Sequence, residues 1–379
     1  MTDLFKMKVQ RIVKTMKDYN IDVLVLRSRK SLSYLFSEVY YPSLEGLPVL
    51  TVVIDVCSGS VKVYTSPLEF FRIEEMYGVH DFVDVIPVAK YVTELELGKS
   101  VITDLKNEIQ KLISGKSVVG IDDYSSKEFL RDIDLIVDVS RIVSKLRRTK
   151  MELELEYIRQ AIDLTERALQ RVSSEISRGM NEMQIANLFE CKARELGAEG
   201  FAFPTIVAIG PNAAKPHHMP SPNTTYTGRE PILIDCGVRV HGYVADITRM
   251  FIPPNLGSEY KEVLGFTDII SVTIDKILKV LRAGVNTKEM YEIARNSLSE
   301  AGHLDRFFIH GLGHGIGVDV HEEPYLAAHY EDRLLENEVI TIEPGIYIKG
   351  KLGVRIEEDV LVTSQCNVVL TRIPRVIAI

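Results

Sequence analysis

An α/β domain followed by an α+β domain is the fold class this sequence predicts, on three observations. Short apolar runs alternate with helix-like stretches through the first 140 residues, a charged segment then opens a long helix, and beyond residue 230 apolar runs pair around Gly-containing turns. At 379 residues and 46% hydrophobic content, the chain is too long for one average domain and apolar enough for two cores. The boundary is placed between 145 and 146, giving domains 1–145 and 146–379.

In the first domain an amphipathic helix, about residues 3–19, leads to a strand at Asp22–Leu26. Strand-like runs follow at Val49–Ile54, Val61–Tyr64, Val83–Ile86 and Ser117–Ile121, separated by helix-like stretches. No metal-ligating or nucleophilic constellation occurs among them, so this domain is expected to shape the site or form a dimer. The segment Lys145–Glu156 marks the junction, and its charges read as the solvated face of the helix it opens. Further on, Gly179-Met-Asn181…Gly197 and Gly284-Val-Asn286…Gly302 form a weak internal repeat. Asn181 with Gln184, and Asn286 with Glu289, predict capping boxes, each helix being closed by its final Gly.

Composition excludes some functions. A net charge of −8 argues against nucleic acid as a principal partner. No apolar leader follows Met1 and no run approaches the roughly 20 apolar residues of a membrane span, so a cytoplasmic protein with no membrane partner is expected. Cys57, Cys191, Cys236 and Cys366 show no CxxC spacing, and Cys236 reads as a small packing residue.

The chemistry lies in the last third. Pro231–Phe251 reads as a hairpin around His241-Gly242, which sets Asp235 opposite Thr248 and diagonal to Asp246. Such diagonal neighbours are about 7–8 Å apart, within reach of two metals spaced about 3.5–4 Å. Val339–Val362 turns near Lys349-Gly350-Lys351, setting Glu343 against Glu357. Like charges opposite one another in a sheet need a cation or a shared proton. Pro344 cannot donate to the ladder, so pairing should loosen there. Alternation puts Arg355, Glu357 and Asp359 on one face and leaves Glu358 on the solvent side. His314 sits within Gly311-Leu-Gly-His-Gly-Ile-Gly317, where missing side chains allow close approach of backbone and metal. Four carboxylates offset two divalent ions, and one neutral imidazole completes the set Asp235, Asp246, His314, Glu343 and Glu357. An oxygen-rich set of this kind suits Mn, Co or Fe and admits Zn. Arg355 is expected to hydrogen-bond the ligand carboxylates, with Thr248 beside them.

Asp235-Cys-Gly…Gly242-Tyr-Val-Ala-Asp-Ile-Thr248, His310-Gly-Leu-Gly-His-Gly-Ile-Gly…His321-Glu, Thr341-Ile-Glu-Pro-Gly345 and Val354-Arg-Ile-Glu357 resemble the motifs of the pita-bread metallopeptidases. Within that family (M24) the chain is most similar to the Xaa-Pro dipeptidase (prolidase) and aminopeptidase P group, over about residues 201–363. The resemblance implies a creatinase-like N-terminal domain, a pita-bread catalytic domain with pseudo-two-fold symmetry, and a homodimer. It implies that the five residues hold two ions, with Asp246 and Glu357 bridging them. It further implies that His310 and His321 contact the substrate carbonyl and tetrahedral intermediate, and that His217 assists proton transfer; His218 is read as a surface residue.

The expected reaction is hydrolysis of the bond between an N-terminal residue and proline by a metal-bridging hydroxide, with Glu343 accepting a proton. The expected substrates are small peptides with proline second. Chain length favours a dipeptidase, whereas the His310–His314 block leans towards aminopeptidase P, which stays as the alternative. Methionine aminopeptidase, a metal-free creatinase-like hydrolase and a non-catalytic peptide-binding module are less well matched. Two departures stand out. Met250 follows Asp-Ile-Thr-Arg as a packing change, and Ser31–Ser37 lacks the family's Asn and Gly, so no residue lent across a dimer is carried over.

Overall fold

The structure is a computed structural model that describes residues 4–37, 49–89, 100–130, 133 and 135–379. The chain divides into two compact units, Met1–Arg147 and Arg148–Ile379.

In the first unit, six strands form one sheet in the order Val83–Pro87, Val61–Thr65, Val49–Asp55, Val23–Leu26, Val118–Ile121, Leu135–Asp138. Val49–Asp55 runs antiparallel to both its neighbours, and the remaining pairings are parallel. Alternation along Val23–Leu26 feeds two cores: Leu24 and Leu26 pack with Phe5, Ile12 and Met16, while Val23 and Val25 pack with Ile109 and Ile113. The sequence reading missed Leu135–Asp138, an edge strand in an Asp-rich stretch whose side chains are only partly covered.

The second unit is built twice over. Helices Glu152–Glu175 and Glu182–Glu195 precede the first metal hairpin, and Glu262–Leu278 and Thr287–Glu300 precede the second. The two repeat stretches match in detail. Gly179 and Gly284 both have φ near +90°, Gly197 and Gly302 both exceed +100°, and Asn181 and Asn286 each bridge an incoming strand at Thr225 and Arg333. Gly179 N–H donates to Tyr226 O at 2.9 Å, and Gly284 N–H to Leu334 O at 2.7 Å. The capping box forms only at Asn181–Gln184; Asn286 instead accepts from Lys288 N–H, one position earlier, so Glu289 closes no box.

The junction charges are only in part a solvated face: Lys145, Glu152 and Glu156 are exposed, whereas Arg147, Arg148, Lys150 and Glu154 are buried. Arg148 is buried, bonding Glu338 and Asp332 at 2.5 Å each, Lys150 lies 3.6 Å from Glu322, and Glu154 accepts from the Tyr243 hydroxyl at 2.6 Å. These partners lie 80 to 190 residues away, which local charge patterning cannot reveal.

Both metal hairpins keep the predicted register. Asp235 pairs with Thr248, and the turn end continues as Val240 opposite Tyr243. Ile342 pairs with Glu358 and Gly345 with Arg355, which places Glu343 and Glu357 across from one another in the gap between two ladders. Pairing is interrupted at Glu343-Pro344 on one strand and Ile356-Glu357 on the other, and in the first hairpin at Gly237 and Ala245-Asp246. Carboxylates therefore lie in or beside each gap. At Gly237 a Cβ would stand 1.8 Å from Ala245 O, so this gap is closed too tightly for any side chain.

Candidate metal centre

The strands Ile232–Cys236 and Ile247–Ile252 lie in a four-stranded sheet with Ile206–Ile209 and Val376–Ala378. Gly313–Gly315, Val339–Ile342 and Glu358–Val362 lie in a five-stranded one. Polar links join them: Glu357 N–H donates to Thr248 O at 3.3 Å, and Thr248 Oγ1 donates to Glu357 Oε2 at 2.8 Å. Thr248 thus orients the Glu357 carboxylate from the opposing hairpin. Arg355 is fully enclosed, donating from Nη2 to Asp235 Oδ2 at 2.5 Å, from Nε to Thr248 Oγ1 at 3.1 Å, and from Nη1 to the Tyr347 hydroxyl at 2.8 Å.

Asp235, Asp246, His314, Glu343 and Glu357 all line one cavity of about 800 Å³, together with His217, His310, His321 and Arg355. Donor atoms of Asp246, His314 and Glu357 lie within 4.8 Å of one another. Glu343 Oε1 is 3.3 Å from His314 Nε2, and Asp246 Oδ2 is 3.7 Å from it. The His314 Nδ1–H donates to Gly315 O at 3.1 Å, a carbonyl that can only accept, so Nε2 keeps a lone pair towards the carboxylates. The glycine preceding it admits protein rather than metal, since a Cβ on Gly313 would stand 2.0 Å from Thr341 O.

The electrostatics call for cations. Burial pushes the Glu343 carboxyl up to about 8, with Asp235 adding to the effect and Arg355 opposing it. Burial, then Glu357 and Asp235, raises Asp246 well above the carboxylate range. Glu357 is raised likewise by burial, then by Glu343 and Asp235. Burial lowers His314 to about 4, keeping the imidazole neutral. Asp235 Oδ1 is buried with no hydrogen-bond partner. A buried lone pair, carboxylates that resist ionising together and a neutral imidazole with a free nitrogen fit divalent cations.

The sequence profile of metallopeptidase family M24 matches residues 156–364. The chain belongs to metallopeptidase family M24. It is an M24 hydrolase, and the family implies divalent metal ions at this site. Among M24 relatives, the chain is 29% identical to the Xaa-Pro dipeptidase of Pyrococcus horikoshii, over 98% of this chain and 99% of that one. It is 32% identical to the Xaa-Pro dipeptidase of Pyrococcus furiosus, over 76% and 84% respectively. The X-Pro aminopeptidase of Thermotoga maritima superposes with a TM-score of 0.82 at 30% identity, covering 98% of this chain and 99% of that one. The two-domain α/β and pita-bread architecture is that of these M24 structures.

Other expectations are corrected. His218 is buried, not a surface residue, because its Nε2 bonds the buried Glu182 carboxylate at 2.7 Å. Glu358 is also buried rather than solvated, neutralised by Arg249 at 2.9 Å and Arg375 at 2.8 Å. Tyr347 escaped the sequence reading. Its hydroxyl accepts from Arg355 and donates to His310 Nε2 at 2.9 Å, since His310 Nδ1–H is given to Gly311 O at 2.7 Å. Burial pushes its phenol up to about 12, so it remains a donor. The signal was available, because the register that opposes Glu343 and Glu357 also puts Tyr347 diagonal to Arg355 on the Glu343 face.

Proposed function

We propose that this M24 enzyme hydrolyses the bond between an N-terminal residue and proline, acting chiefly as an Xaa-Pro dipeptidase on two divalent ions. Asp235, Asp246, His314, Glu343 and Glu357 would hold the ions, with Asp246 and Glu357 as the shared ligands. The observation that carries the reading is the convergence of all five donors in one cavity that His217, His310 and His321 also line. Likeness to two Pyrococcus Xaa-Pro dipeptidases, one of them over nearly the whole of both chains, supports the substrate class. Mn, Co or Fe suits the oxygen-rich set, and Zn is admitted.

Bound divalent cations lower the pKa of coordinated water and polarise a carbonyl. The protein's own groups do the rest. Glu343, lining the cavity 3.3 Å from His314, accepts the water's proton and returns it to the departing proline nitrogen. Both ring nitrogens of His310 are engaged, by Gly311 O and the Tyr347 hydroxyl, and burial lowers its pKa to about 4. His310 is therefore placed to orient Tyr347, leaving His321, whose ring stands 4.3 Å from His314, to donate to the developing oxyanion. Arg355 fixes Asp235, Thr248 and Tyr347 together. Exposed His217 relays protons at the rim. A proline nitrogen carries no N–H, and the site needs none from it. We assign residues 1–145 to dimerisation and site shaping, and 146–379 to catalysis.

Aminopeptidase P is the second reading, favoured by the Thermotoga maritima likeness. Met-Pro and Ala-Pro-Ala, assayed side by side after loading with Mn²⁺ or Co²⁺, decide between them. Rapid cleavage of Met-Pro alone is expected; efficient cleavage of the tripeptide moves the enzyme to aminopeptidase P.

A further inference from the structure

Glu182 lies outside the metal centre, yet its fully buried carboxylate collects four hydrogen bonds from one loop. Oε1 accepts from Ile209 N–H at 2.8 Å and Asn212 Nδ2 at 2.9 Å. Oε2 accepts from Ser221 N–H at 2.9 Å and from His218 Nε2 at 2.7 Å. With three N–H donors already converging on it, the group is an acceptor, so His218 must carry its proton on Nε2. Both ends of segment 209–221 are thereby tied to one side chain. Between the ties lie Pro216, His217, His218 and Met219, all lining the catalytic cavity, and Pro216 O accepts from Arg355 at 3.3 Å. At the matching position of the internal repeat, the Thr287 hydroxyl bonds the backbone of Tyr330 and Asp332, so the carboxylate–imidazole pair belongs to the first half.

We infer that Glu182 and His218 are a positioning pair that acts through His217, clamping segment 209–221 so that His217 stands at its working place over the cavity. The inference rests on the proposed role of His217. Misplacing a catalytic group by about 1 Å can cost about 10²-fold in rate.

The test compares His218→Ala, His218→Gln, His217→Ala and the His217→Ala/His218→Ala double variant in the metal-loaded enzyme on Ala-Pro. His218→Ala should lower kcat by about 10- to 100-fold with KM changed by less than about threefold. His218→Gln keeps an amide N–H for Glu182 and should recover most of that loss. In the His217→Ala background, His218→Ala should cost less than about twofold, because no ring remains to be placed. Equal losses in both backgrounds, or no recovery with Gln, would overturn the pair's action through His217. Amide exchange across 209–221 needs no substrate: it should quicken in His218→Ala and return in His218→Gln, and unchanged exchange would overturn the clamp itself. Failure of the wild type on Ala-Pro with exchange behaving as stated counts against the substrate reading alone.

Discussion

Replacing Tyr347 by Phe removes one hydroxyl that links Arg355 to His310, leaving Arg355 its bonds to Asp235 and Thr248. The loss of its two hydrogen bonds, about 1 kcal/mol each, should lower kcat roughly 5- to 30-fold without changing metal stoichiometry. Steady-state kinetics with metal analysis check this, and loss of metal would show that Tyr347 supports the ligands instead. At this scale the residues that line the cavity were legible because the four carboxylates stand in two hairpins and His314 in a Gly-rich run, and local alternation gives their faces. Glu358 and His218 were not. The groups that make their burial tolerable, Arg249, Arg375 and Glu182, come from other elements, and an acidic residue or histidine read without its partner defaults to the surface.

Among the elements, the strand Ile247–Ile252 carries the most consequential side chain outside the cavity. Arg249 is fully buried, donating to Thr248 O at 3.0 Å, to Glu357 O at 2.5 Å, to Glu358 at 2.9 Å and to Ile373 O at 3.2 Å. It holds together both metal hairpins and the C-terminal segment. Arg249→Ala should destabilise the catalytic unit by about 3–5 kcal/mol, since buried Glu358 loses a cationic partner and keeps Arg375 and the Thr371 hydroxyl. Thermal or urea unfolding measures this, and a change below about 1 kcal/mol would refute the role. The hairpin registers were readable because short Gly-containing turns fix the pairing and a slip of one residue would turn every ligand outward. The ladder gaps were half legible: Pro344 announces one, whereas the other depends on the Gly237–Ala245 contact, which no local rule supplies.

On the scale of the whole molecule, the N-terminal unit carries an acid-sensitive pair of its own. In the N-terminal unit, the Lys116 ammonium, 2.7 Å away, and the Ser58 N–H hold the Asp55 carboxyl down to about 2, below its ordinary 3.8. A carboxylate depressed in the folded state stabilises it fully above about pH 4, and this contribution disappears as pH falls towards 2. Asp55→Asn should therefore reduce stability at pH 6 and flatten its decline between pH 4 and 2, read by unfolding of the N-terminal unit; an unchanged acid profile would contradict this. Composition and the alternation of runs were enough to call two domains. The repeat was visible only through its glycines and asparagines, because backbone geometry constrains those positions while the surrounding side chains have diverged.

The central claim is that five side chains form a site for two ions on which peptidase activity depends. Titrating metal-stripped protein with Mn²⁺, following bound metal and Ala-Pro hydrolysis together, tests it most directly. No hydrolysis is expected without metal, with activity rising to a plateau at two ions per chain and both binding and activity lost in Asp246→Ala. Hydrolysis without metal, or an Asp246→Ala variant that still binds two ions and cleaves, would contradict it.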